Sequence, residues 1–557
     1  MIHHIETQVL ILLLVACIVG ISARRLKIPY TLALVVAGLL LGFAELETLA
    51  GIELSADLLL LLLLPALLFE AAFHIEWHEF RQEAVPIFTL AVPGVVIAIG
   101  ATAGLIQLLL GTTGLVPGFE WVHAFLLASV IAATDPISVL ALFRELGVAK
   151  RLYLLVEGES LLNDGVAVVA FFIVIAVFGV TWGGQAPPDL ATTNEVLAHA
   201  LITFVRMAVG GILIGLLIGG LASAVTRQLD DYLIETTLTT LVAYGSFLVA
   251  ETLHCSGVLS TVAAGLVVGS VGAAHGMSPV TKRSVEDFWE YIAFLANSFI
   301  FLLVGLELEP AGFFGHTLPI CLAFAAMIVA RALAVYGTGP LINRFAREPI
   351  PGKWRQVMVW GGLRGSLSMV LILTLPADFP GRSMLVDLVF GVVALSLFLQ
   401  GLTVKPLLAK LDMLSSHEGA REYQRARVHV LMARRALRNI DRLLTDGLIS
   451  RDVHGQLEEW YRNQLAQAEE EAATHAGVSE RDEQLAEGIR RLTDVERETL
   501  RHAERTGLIS RDLAHELDGE LTRRVAALEA AEHEGDEHLT RYLAEMLADG
   551  DEPAEAG

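Results

Sequence analysis

LLASVIAATDPISVLALF, residues 126–143, is apolar enough to lie in a membrane, yet carries a threonine, an aspartate and a proline side by side at its centre. Pro136 has no backbone N–H to donate, and its ring disfavours helix at the residue before it. A helix running through this stretch is therefore predicted to stop near Thr134 and restart after Pro136. The stop leaves free carbonyls and a free helix N-terminus at membrane depth, which is tolerated only where the backbone lines a cavity or binds something. A simple kink would account for Pro136 but has no need of Thr134 and Asp135 beside it. GGLRGSLSM, residues 361–369, is a second such place, where Gly361, Gly362 and Gly365 loosen an apolar segment around Arg364. Two interrupted segments in different halves of a chain point to an inverted-repeat transporter with its site where the breaks meet.

The surrounding chain fits that setting. Its 557 residues are 54% hydrophobic and only 18% charged, whereas soluble domains carry about a quarter charged residues. Up to residue 411 there are about thirteen apolar stretches able to cross roughly 30 Å of hydrocarbon as helices. Alternate loops between them hold 14 Lys and Arg, and the intervening loops hold Arg382 alone. Basic residues stay on the cytoplasmic side, so the N-terminus is predicted outside, the C-terminus inside and the number of crossings odd. The first apolar run precedes Arg24, Arg25 and Lys27 instead of following them, so it reads as a first span and not as a secretory signal. Cys17, Cys255 and Cys321 are far apart, which suggests packing residues and no disulfide or metal framework.

An ionisable residue inside a span costs several kcal/mol unless it has a role. EGESLLNDG, residues 157–165, precedes the wholly apolar VAVVAFFIVIAVF. At about 100° per residue, Glu159, Ser160, Asn163 and Asp164 share an arc of roughly 140°, so they are expected to face one cavity. Glu157, nearest the cytoplasmic end, reads as a solvated helix start. Glu70 in LLFEAAF, Arg331 in MIVARALAVYG and Arg364 complete the submerged charges. Arg206, Glu251, Glu307, Glu309 and Asp387 fall near outer span ends, where they are expected to snorkel. Gly211, Gly215 and Gly219 recur every fourth residue and let their helix approach a neighbour closely.

From Asp412 the composition changes to 19 Arg, no Lys and 33 acidic residues. This predicts an acidic helical cytoplasmic domain over 412–548, followed by a disordered tail at 549–557. GLISRDVHGQLEEW at Gly447 and GLISRDLAHELDGEL at Gly507 mark an internal repeat, spanning about 434–475 and 494–535. In each copy the glycine ends one helix and Ser450 or Ser510 caps the next. Such a module packs or dimerises, or else senses pH or a ligand to regulate the membrane part.

TDP, ESLLND, IVARALAVYG and GGLRGSLSM, in this order, resemble the electroneutral sodium/proton exchangers of the monovalent cation/proton antiporter superfamily. The resemblance covers roughly residues 8–410. It implies an all-α polytopic membrane fold, with a core of two crossed, interrupted helices beside a dimerisation domain, working as a homodimer in the plasma membrane by an elevator-like motion. It implies that Asp164 takes up either Na+ or a proton, with Asp135, Thr134, Ser160 and Glu70 as further oxygens around the cation. Asn163 would be the neutral neighbour of Asp164 that marks one-for-one exchange. Glu159 would pair with Arg331, and Arg364 and Pro136 would support a broken helix, the partner of Arg364 being unassigned. No cofactor is implied beyond the transported Na+ and H+, no nucleic acid is expected, and pH homeostasis is the implied role. Hard oxygen ligands suit a small monovalent cation; lithium would fit as well, and potassium in place of sodium is the alternative. A cation channel would want a continuous wet pore with several weak sites. A protease using Asp135 and Asp164 as an acid pair would leave Asn163 and Arg331 without a part.

Overall fold

The computed structural model describes residues 2–26, 29–43, 58–180, 193–228, 231–273, 276–307, 315–411, 413, 417–446, 448–475 and 508–534, with short pieces between 485 and 543. The chain divides into two compact units, Met1–Leu414 and Ser415–Gly557. Among the described residues the regular structure is entirely helical.

The first unit opens with α1 (Ile2–Leu26), α2 (Tyr30–Phe43) and α3 (Leu64–His74). The short α4 (Trp77–Gln82) and α5 (Ala84–Thr89) lead into α6 (Val95–Ile106). Then come α7 (Trp121–Val130), α8 (Ile137–Leu146) and the long α9 (Lys150–Val177). α10 (Thr193–Thr226), α11 (Tyr232–Thr252), α12 (Gly257–Val267), α13 (Pro279–Glu307) and α14 (Thr317–Phe345) follow. The unit ends with α15 (Gly352–Trp360), α16 (Ser366–Leu373), α17 (Arg382–Leu395) and α18 (Gly401–Lys410). Among the described residues, eight helical runs are long and apolar enough to cross a membrane, and four further apolar helices are shorter.

Local chemistry sets the ends. Asp231 caps α11 by accepting from the backbone N–H groups of Leu233 (2.9 Å) and Ile234 (3.2 Å), and Ser256 caps α12 through Leu259 N–H at 3.3 Å, each satisfying donors the helix leaves open. α8 stops at Gly147, whose φ of 62° is left-handed, a conformation glycine adopts without steric cost. The Gly211, Gly215 and Gly219 ladder seats α10 against α12: a methyl group at any of the three would overlap backbone at Ser256, Ser260 or Ala264. Of the cysteines, Cys255 is buried as expected of a packing residue, but Cys17 and Cys321 are exposed. Surface helices of this unit present apolar residues outward, so exposed positions there accept cysteine as readily as buried ones do.

The second unit contains α19 (His417–Thr445), α20 (Arg451–His475) and α21 (Arg511–Glu534). α19 packs along α20. Ser450 Oγ accepts from Val453 N–H and Ser510 Oγ from Leu513 N–H, both at 3.3 Å. Gly447, Gly507 and 549–557 lie outside the described residues.

Candidate ion-binding site

The chain leaves helix after Val130 and re-enters it at Ile137, and leaves it again after Trp360 to re-enter at Ser366. The two gaps meet. The backbone N–H of Asp135 donates to Leu363 O at 2.8 Å, and Gly365 lies so close to Asp135 that a methyl group there would overlap the Asp135 side chain. Asp135 Oδ1 accepts from Ile137 N–H at 3.0 Å, so the carboxylate caps the restarting helix, the use a free helix N-terminus makes of a negative charge.

The open carbonyls of the first gap are met from the second. Arg364, 3% exposed, donates from Nη1 to the carbonyls of Ala132 (2.8 Å) and Ala133 (3.1 Å), while its own backbone N–H donates to Ser396 Oγ at 3.0 Å. Its Nε donates to Met327 Sδ at 2.9 Å, so the partners of this arginine are two carbonyls and a thioether. Asn163 Nδ2 donates to Ala132 O (3.0 Å) and Thr134 Oγ1 (2.8 Å). Ser160 Oγ donates to Thr134 O and lies 3.0 Å from Thr134 Oγ1.

The polar arc of α9 is shared between two neighbours. Asp164, Ser160 and Glu157 line a cavity of about 280 Å³, together with Glu70, Thr134, Asp135 and Pro136. Glu159 turns instead to Arg331, donated to at 2.8 and 2.7 Å in a fork, and Asn163 turns to the broken helix. An arc of roughly 140° is wide enough to be split, so the expectation of one common cavity is corrected: Ser160 and Asp164, four residues apart, stay together and the other two face away. Arg331 also donates to Met358 O at 3.2 Å.

Glu157 is likewise not a solvated helix start. It accepts from Tyr153 Oη at 3.2 Å, Tyr153 accepts from Arg144 Nε at 3.0 Å, and all three line the cavity with Glu70 and His74. The signal was present in the spacing, since Glu157 precedes Asp164 by seven residues, two full turns, and so shares its face. Glu70 lines the cavity with its carboxylate 3.4 Å from His74 Nδ1. Among the described residues no three His, Cys, Asp or Glu side chains converge as a metal-ion cluster. At the cavity wall, Asp164 Oδ1 is buried without a hydrogen-bond partner among the described residues. Of the charges expected to snorkel, Glu251 accepts from Gly257 N–H at 3.3 Å and Asp387 lies 3.1 Å from His316, so both have protein partners. Arg206 is exposed, and Glu309 and the Glu307 side chain lie outside the described residues.

A membrane bundle in which two interrupted helices cross beside a submerged carboxylate has the architecture of a secondary transporter. The chain belongs to the sodium/hydrogen exchanger family, whose transmembrane region matches residues 10–410. It is 38% identical over 422 residues to the Na(+)/H(+) antiporter ApNhaP of Aphanothece halophytica, covering 76% of each chain. To the Na(+)/H(+) antiporter NhaH of Halobacillus dabanensis it is 37% identical over 425 residues, covering 74% of this chain and 99% of the relative. The solved structure of the sodium proton antiporter MjNhaP1 from Methanocaldococcus jannaschii shares its fold, with a TM-score of 0.58 at 19% identity over 74% of this chain and 99% of that one. The family is one of secondary transporters.

Proposed function

We propose that this protein exchanges Na+ for H+ across the cell membrane, one for one, with ion and proton competing for Asp164. The observation that carries the reading is the buried, unpartnered Asp164 Oδ1 at the wall of a cavity that reaches the crossing of the two broken helices. A charged carboxylate is costly in such a place until a proton or a cation neutralises it. Proton and cation therefore exclude one another there. If the block carrying α9 changes sides only when neutralised, the two gradients are coupled without a further device.

Thr134, Ser160, Asp135 and Glu70 would supply the remaining oxygens to the cation as it enters. Pairing Glu159 with Arg331 removes that carboxylate from competition for the ion. Asn163, uncharged, leaves Asp164 as the exchanging acid on this part of α9, which supports one charge in for one charge out. We further propose thirteen crossings arranged as an inverted repeat, the N-terminus outside, a homodimer, and an elevator-like alternation serving pH homeostasis.

The test is reconstitution with a pH dye, challenged by sodium, potassium and lithium in turn. Asp164→Asn is expected to abolish exchange, and wild-type rates from that variant would refute the assignment. Competition also sets the sign of the pH effect. In the wild type, the apparent KM for sodium is expected to rise as pH falls, by up to about tenfold per pH unit in the acid range; a KM indifferent to acidity would contradict it.

A further inference from the structure

A second cavity, of about 270 Å³, lies on the other side of α9, walled by α4, α5, α10 and α12. Its wall is apolar almost throughout; of the two polar residues beside it, Ser270 keeps its hydroxyl buried and Arg81 is exposed at the edge. Trp77, Phe80, Arg81, Ala84 and Phe88 line it from α4 and α5, a spacing that puts them on one helical face. The acids of the same segment serve the other face: Glu79 and Glu76 pair with Lys150, and Glu83 pairs with Arg151 at 2.7 Å. Arg81 has no side-chain partner among the described residues, so its positive charge at the edge of an apolar cleft is uncompensated.

The cleft opens sideways. Trp77 is 51% exposed, Phe88 44% and Leu216 44%, so its rim is apolar and uncovered. Its position next to Lys150 and Arg151 places it at the end of the bundle that the distribution of basic residues assigns to the cytoplasm. Tryptophan and arginine at that depth are the side chains that meet lipid headgroups, and the cytoplasmic leaflet carries anionic lipid.

We propose that this cleft holds an anionic phospholipid, one acyl chain lying along the α4–α5 face against α12 and the phosphate on Arg81. The apolar lining fits the chain, the lone cation fits the headgroup, and the exposed rim gives entry from the bilayer. The occupant would sit between α9, which carries Asp164, and the α10–α12 pair.

The experiment uses the full chain in proteoliposomes containing phosphatidylglycerol with a photoactivatable diazirine on its acyl chain, with phosphatidylcholine bearing the same chain as reference. Peptide mapping is expected to find the label within residues 77–88 and 259–271, about fivefold more with phosphatidylglycerol. Arg81→Gln, a change at an exposed side chain, is expected to bring the two lipids to parity, and Ala263→Phe, which fills the cleft, to remove the label. Labelling that misses both segments overturns the proposal. So does equal labelling by the two lipids in the wild type, or a cross-link joining residues 77–88 to a second copy of the chain in place of lipid. The readout is independent of which ion is transported.

Discussion

Glu159 and Arg331 meet across 172 residues of sequence, with side chains only 3% and 6% exposed. Removing one partner of such a pair strands the other's charge, at about 3–5 kcal/mol. Glu159→Ala and Arg331→Ala are each expected to lower the melting temperature of the detergent-solubilised protein, while Glu159→Leu combined with Arg331→Met is expected to recover much of the loss. Unchanged melting in both single variants would remove the pair from the account of stability. Each residue stood out in the sequence as a charge in an apolar run, but their pairing was implied by the family resemblance and not by the letters themselves. Arg364 was legible only as a charge. Its partners are the Ala132 and Ala133 carbonyls and the Met327 sulfur, groups that nothing in the letters singles out. Glu157 lies near the cytoplasmic end of α9, but its two-turn spacing from Asp164 turns it to the cavity.

At the level of elements, the crossing depends on the absence of a side chain at Gly365. Gly365→Ala is expected to push the two gaps apart and cut exchange by about tenfold or more, since a displacement of 1 Å at a reacting centre can cost about a hundredfold. Gly220→Ala, where a methyl group meets nothing within 4 Å, is the control and is expected to leave transport unchanged. Equal rates in both would mean that the crossing tolerates slack. The interruptions themselves were readable, because proline and clustered glycines act on their own backbone. That the two breaks meet was expected from their place in different halves of the chain; the particular contacts, Asp135 N–H on Leu363 O and Arg364 on Ala132 and Ala133, were not, since a break fixes where a chain turns but not which atoms it meets. The α10 ladder was readable as a close approach for the same local reason, while its neighbour α12 emerged only in the folded bundle.

For the whole molecule, the division after Leu414 coincides within a few residues with the change in composition near Asp412. A chain ending at Leu414 is expected to insert and still acidify or alkalinise vesicles in answer to sodium, with any change confined to the pH at which transport begins. Complete loss of exchange in an inserted, monodisperse protein would show that the first unit cannot work alone. Hydropathy and charge shift together near that division; the cleft beside α9 leaves no such local mark in the sequence, because its walls are brought together from separate helices. The clasp of Arg364 on Ala133 also has a bearing on how the protein is made. The two residues stand 231 apart, and a ribosome adds roughly 5–20 residues per second. For about 10–50 s of each synthesis, the nascent chain holds the Ala133 carbonyl in lipid before the cation that closes it exists. During that interval the half-built carrier is a substrate for membrane chaperones and proteases, and its survival depends on how quickly its own later half arrives.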